Sequence, residues 1–167
     1  MPNYIRPKIP GATVFLTVNL AHREQTLLTD HFDALSSITL STLKSRPVTI
    51  HQWVVLPNHM HCLWTLPSND HDFYTRVASI KAQFTMTIRR AGFSPPPNLP
   101  IVTSGRYAGL KPGLRVNKRE QGIWQRRFWE HHIRDQNDFD ACAEYCWHNP
   151  VKHGLTNKPE TWPFRIT

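Results

Sequence analysis

The sequence predicts an α+β fold, a ferredoxin-like antiparallel β-sheet with helices on one face and a further helix at the C-terminus. Three observations carry that expectation. Segments of strand-like and helical periodicity succeed one another as strand, helix, strand, strand, helix, strand, helix. The two central strands are separated only by Pro57-Asn58, a turn signal that makes them a hairpin and therefore antiparallel. Finally, 167 residues of 40% hydrophobic composition suffice for one domain, spanning 1–167, with its own core and no internal repeat.

Taken in order, residues 12–21 (ATVFLTVNLA) mix β-branched and apolar side chains with partial alternation and read as the first strand. Thr29-Asp30 offers an N-cap. Phe32, Leu35, Ile38, Leu40 and Leu43 then fall near helical spacing until Pro47 ends the run. The hairpin strands are 48–56 (VTIHQWVVL) and 59–66 (HMHCLWTL). Between 73 and 90, Val77, Ile80, Phe84 and Ile88 form an apolar helical stripe with Arg76, Lys81, Arg89 and Arg90 around it, and Gly92 closes it. Residues 93–121 hold five prolines and little periodicity, which predicts a long basic loop. Residues 123–131 (IWQRRFWEH) read as the fourth strand, and 135–149 as a helix stopped by Pro150.

Lys and Arg number 20 against 12 Asp and Glu, a net charge of +8. An excess of that size favours a polyanionic partner without naming it. Eight of the cations lie between 106 and 134, among them Arg115, Lys118, Arg119, Arg126, Arg127 and Arg134, against only Glu120 and Glu130. Tyr107, Trp124, Phe128 and Trp129 interleave them; cations suit phosphates and flat rings suit unpaired bases. Taken alone, the segment is equally a solvated basic loop with core-anchoring tryptophans. No run of about eighteen apolar residues is present to span a membrane. The N-terminus has no secretory-signal pattern, and three cysteines make no disulfide framework, so a cytoplasmic protein is expected.

His59 and His61 lie two apart on a strand, which puts both imidazoles on one face, near enough to share a divalent cation, with Met60 on the other. Alone, such a pair is more often polar surface than a ligand set. Tyr145 and Asn149, at i and i+4, share a helical face; by default they are a packing residue and a helix cap. Cys142 and Cys146 with His148 raise zinc, although core packing suits two cysteines on a helix better.

Three strings in order, WVVLPNHMHCLWTLP (53–67), GIWQRRFWEHHIRD (122–135) and EYCWHNPVKHGL (144–155), resemble the REP-associated tyrosine transposases. These belong to the HUH endonucleases, named for a His–hydrophobe–His pair. The similarity runs nearly end to end, from YIRPKIPGATVFLTVNL (4–20) to the WPF beginning at Trp162. The resemblance implies a palm-like ferredoxin fold and cleavage of single-stranded DNA at hairpins of repetitive extragenic palindromes (REP). It places the metal-binding histidines at His59 and His61, the nucleophile at Tyr145 and a third ligand at Asn149. A phenol ordinarily titrates near pH ~10, so its attack on phosphorus needs a cation to stabilise developing charge. Mg²⁺ or Mn²⁺ suits phosphate, and Mn²⁺ tolerates imidazole better. Attack would leave a 5′-phosphotyrosine and a free 3′-OH, conserving the bond energy for rejoining.

The expected partner is thus single-stranded and hairpin DNA of REP type, held by Arg115, Lys118, Arg119, Arg126, Arg127, Arg134 and Lys152. A cytoplasmic, nucleoid-associated monomer is expected, with a helix-exchanged dimer as the alternative. A catalytically idle hairpin-binding regulator on the same fold is the competing reading. An RNA-binding module of like topology would instead show aromatic pairs on the open sheet face, where this chain has the His pair.

Overall fold

The computed structural model describes residues 7–92 and 122–166. Its elements are β1 (Thr13–Asn19), α1 (Leu27–Asp30), α2 (Phe32–Ser45), β2 (Thr49–Val55), β3 (His59–Thr65), α3 (Phe73–Arg90), β4 (Trp129–His132) and α4 (Gln136–Lys152). A single 3₁₀ turn (Pro159–Thr161) follows. The four strands form one antiparallel sheet in the order β2-β3-β1-β4, the ferredoxin-like arrangement. The predicted hairpin is present: Leu56 N–H donates to the His59 carbonyl at 2.8 Å across Pro57-Asn58.

Alternation along the strands divides the core in two. Val14, Leu16 and Val18 of β1, with Met60, Cys62 and Trp64 of β3, pack under the helices α1, α2 and α3. The opposite face carries Phe15, Val54, Leu56 and Leu63, which Cys146 of α4 covers. Apolar burial on both faces is the dominant stabilising term. Arg76 is not part of the polar rim of α3 that the periodicity suggests. It is buried, and donates to Asp70 Oδ2 (2.6 Å) and to the carbonyls of Arg46, Pro47 and Asp72, tying α3 to the α2–β2 connection.

Three boundaries differ from the sequence expectation. Thr29-Asp30 does not cap α2; buried Leu27 and Leu28 draw the chain into a separate turn, α1, first. The strand expected over 123–131 is interrupted. Trp124 makes one bridge to Leu20, and its indole N–H donates to the Lys81 carbonyl of α3 (3.1 Å), so pairing with β1 resumes only at Trp129. Helix α4 continues through Pro150 to Lys152 rather than stopping at it. A proline near a C-terminus forfeits one hydrogen bond but keeps helical φ. The helix ends instead on Gly154 at φ +66°, with Leu155 N–H donating to the Pro150 carbonyl and Gly154 N–H to that of Val151. That pair of bonds is a Schellman termination. The expected loop 93–121, with Arg115, Lys118 and Arg119, lies outside the described residues.

Candidate active site

The site sits on the α4 face of the sheet. In register, Val54 of β2, His61 of β3, Thr17 of β1 and Trp129 of β4 form one cross-strand row, and Asn19 pairs with His59 one step along. Because α4 runs unbroken past Pro150, Tyr145, Asn149 and Lys152 at i, i+4 and i+7 share the face turned to this row. The Tyr145 ring meets His61 edge-on at 5.2 Å and Phe15 at 5.9 Å, with centroids as reference. His59 and His61 are 5.0 Å apart by the same measure. Lys152 Nζ lies 4.8 Å above the Tyr145 ring, and the phenol remains 39% exposed.

Each imidazole is oriented through Nδ1. His59 Nδ1–H donates to Asn58 Oδ1 at 2.6 Å, and the Asn58 amide nitrogen donates in turn to the Arg23 carbonyl, which fixes the amide's orientation. His61 Nδ1 pairs with Thr17 Oγ1 at 2.9 Å. Donation from Nδ1 leaves Nε2 of His59 with its lone pair free for a metal, and the same holds for His61 when the Thr17 hydroxyl accepts from Nδ1. Burial first, then the nearby His153 and Arg23, lowers the His59 pKa to about 4. Burial first, then His59, His153 and Lys152, lowers that of His61 to about 3. Both rings are therefore neutral near pH 7, as ligands must be.

The donors fit a cation. His61 Nε2 and both polar atoms of the fully buried Asn149 amide lack a hydrogen bond of good geometry among the described residues, the amide's contact being to the two imidazoles. The amide acts on both imidazoles only weakly, favouring their protonated forms. A buried polar atom left unsatisfied costs about 1–3 kcal/mol, a penalty that a shared cation would relieve at His61 Nε2 and Asn149 Oδ1. Two imidazoles and an amide oxygen together make a donor set for one divalent cation.

A second donor set, His131, Asp138 and Cys142, has ligand atoms within 4.8 Å of one another and could hold a metal ion. Its carboxylate is already engaged. Asp138 accepts from His131 Nε2 (2.8 Å), the Arg134 backbone N–H (3.0 Å) and Arg134 Nε (3.2 Å), and burial pushes the Cys142 thiol pKa up. The zinc alternative at Cys142, Cys146 and His148 fares worse. Cys146 is fully buried in the α4 core with its pKa raised to about 12, while His148 is exposed.

The remaining expected DNA contacts divide. Arg126 and Arg127 are exposed on the approach to β4, whereas Arg134 is held by Asp138 at the start of α4. Sequence reasoning did not find Thr17 or Phe15, and it took His153, whose ring lies 5.1 Å from that of His59, for a surface or DNA-contacting group. Thr17 and Phe15 depend on the β1–β3 register, which no local pattern reveals. Asn58 had a signal, since it directly precedes the His pair.

A histidine pair on a central strand, facing a helix-borne tyrosine across a ferredoxin-like sheet, defines the HUH single-tyrosine transposase class. No family model matches the chain. It is 40% identical over 164 residues to the REP-associated tyrosine transposase of Escherichia coli K12, covering 98% of this chain and 81% of that one. A solved structure of a REP-associated tyrosine transposase bound to a REP hairpin superposes with a TM-score of 0.76 at 38% identity, over 99% of this chain and 82% of that chain. A candidate transposase from Deinococcus radiodurans R1 shares the fold, with a TM-score of 0.52 at 12% identity and 95% coverage of both chains. The chain belongs to the REP-associated tyrosine transposases.

Proposed function

We propose that the protein nicks single-stranded DNA at REP-type hairpins and rejoins it, with Tyr145 as nucleophile and His59, His61 and Asn149 as the ligands of one Mn²⁺ or Mg²⁺. The observation that carries this reading is the convergence of two buried, under-satisfied metal-donor atoms, His61 Nε2 and Asn149 Oδ1, beside the half-exposed Tyr145. An idle regulator has no use for such donors, whose burial only destabilises the fold.

The steps balance without an external energy source. Tyr145 Oη attacks the scissile phosphorus and gives up its proton to solvent as the Oη–P bond forms. The P–O3′ bond breaks, and the 3′ oxygen leaves as a hydroxyl once protonated. The product is a 5′-phosphotyrosine, and attack by a 3′-OH reverses the sequence. A cation held by His59, His61 and Asn149 would polarise the phosphate and stabilise its developing charge. Lys152, above the phenol ring, adds positive charge where the phosphate arrives. Thr17 and Asn58 hold the two imidazoles in the ligating tautomer.

The chain works as one domain, 1–167, on chromosomal DNA in the cytoplasm. No helix among the described residues is long and apolar enough to cross a membrane. The test uses an end-labelled REP-type hairpin carrying single-stranded flanks. Cleavage is expected with Mn²⁺ or Mg²⁺, is lost with a chelator, and is lost in His59→Ala/His61→Ala while hairpin binding persists. Cleavage by the double variant would remove the histidines from the chemistry, and loss of binding would place them in recognition instead.

A further inference from the structure

One large aromatic ring near the site is left mostly in solvent. Trp129, on edge strand β4, is 55% exposed, although a tryptophan buries more apolar surface than any other side chain. Its neighbour Trp124 shows the ordinary use, buried against Phe84 and hydrogen-bonded to α3. Trp129 stands in the cross-strand row that contains Thr17 and His61. Two strand spacings, about 10 Å, therefore separate its backbone from that of His61.

The ring is also held in place. His131 lies parallel to the indole, at 8° and 5.8 Å between centroids, and Phe15 supports it edge-on at 5.8 Å. His131 is fixed by two contacts to Asp138, of 2.8 and 2.9 Å, and Phe15 also touches both Tyr145 and His61. A rigid, buttressed indole with one face open has already lost the rotational freedom that binding would otherwise cost. The exposed cations just before it are Arg126 and Arg127, which suit a polyanionic strand rather than an apolar protein surface.

We infer that the open face of Trp129 is a stacking platform for one unpaired nucleobase of the DNA strand, next to the phosphodiester presented to Tyr145. The inference rests on the function proposed above and assigns part of the strand's path. A base stacked there is clamped in line with His61, with its flanking phosphates near Arg126 and Arg127. Stacking is indifferent to base identity, so this contact sets position and not sequence.

Two DNAs test it: a REP-type hairpin with single-stranded flanks, and the same stem-loop trimmed blunt. Stacking of one base contributes about 1–3 kcal/mol, or about 5- to 150-fold in affinity. Trp129→Ala should weaken binding of the flanked hairpin by that factor and leave the blunt one unchanged, and Trp129→Phe should restore most of the loss. An abasic residue scanned through the flank should weaken wild-type binding at one position and cost nothing more in Trp129→Ala. Equal loss on both DNAs, no loss on either, or additive effects at every abasic position would overturn the platform. Adduct formation by the wild-type chain on the flanked hairpin is followed in parallel. Its absence refutes the proposed function, whereas its presence with unaltered Trp129→Ala affinity refutes only the stacking.

Discussion

Thr17 and His61 face each other across β1 and β3, and the Thr17 hydroxyl meets His61 Nδ1 at 2.9 Å. This contact makes a strand residue with no chemistry of its own responsible for where the His61 lone pair points. Removing a partner of this kind commonly costs about 10- to 100-fold in metal affinity. Thr17→Val should weaken Mn²⁺ binding by that factor, measured by electron paramagnetic resonance, and Thr17→Ser should recover it. If the valine variant binds Mn²⁺ normally, Thr17 does not orient the ring.

Asn149 is fully buried and neither of its polar atoms makes a hydrogen bond of good geometry, so the metal-free protein bears a cost for keeping it. Asn149→Leu, of similar volume, should raise stability by about 1–3 kcal/mol in chelator. The same change should abolish the gain in stability that Mn²⁺ confers on the wild-type protein. Urea unfolding with and without Mn²⁺ reads both effects. A leucine variant that is less stable in chelator would mean that the amide is satisfied.

Acid should destabilise the metal-free fold in a defined window. His59 and His61 titrate at about 4 and about 3 in the folded chain, below the ordinary 6.5. Above pH 6.5 both states are neutral and nothing changes. As pH falls from 6.5 towards 4, the unfolded chain takes up protons that the folded chain refuses, so stability drops. Asp138, lowered to about 2, adds its loss only below the ordinary carboxylate value of 3.8. The urea midpoint in chelator should fall between pH 7.5 and pH 5, and less steeply in His59→Asn/His61→Asn. The same slope in that variant would assign the effect to other groups, such as His51 and His132, which burial also lowers.

Arg126 and Arg127 are exposed beside β4. Each alanine substitution should reduce the salt dependence of hairpin binding, by about 0.9 in slope for a lost duplex phosphate or about 0.7 for a single-strand one. The size of the change therefore reports which part of the DNA each arginine touches. An unchanged slope would return both to solvated surface.

The fold was largely legible because its signals are local: alternation in 48–56 and 59–66, the Pro57-Asn58 turn and the helical stripe of α3. The His pair was legible for the same reason, since period two alone puts His59 and His61 on one face. What escaped depends on distant partners. The end of α4 was misplaced because Pro150 is a strong breaker by rule, whereas Gly154 and the bonds it permits outweigh one missing N–H. Trp124 and Trp129 look alike in the string, yet one anchors α3 and the other faces solvent, a difference decided by where β4 begins. Thr17 became visible only with the register of β1 on β3.

The central claim is that Tyr145 forms a covalent bond to DNA. Wild-type protein and Tyr145→Phe are incubated with the flanked REP-type hairpin and Mn²⁺, denatured, and analysed by mass spectrometry. The account predicts a denaturant-resistant adduct in the wild type, carried by the peptide containing Tyr145 and bearing a 5′-phosphate linkage, and none in Tyr145→Phe. An adduct that persists in Tyr145→Phe, or cleavage by the wild type with no adduct at any time, would contradict it.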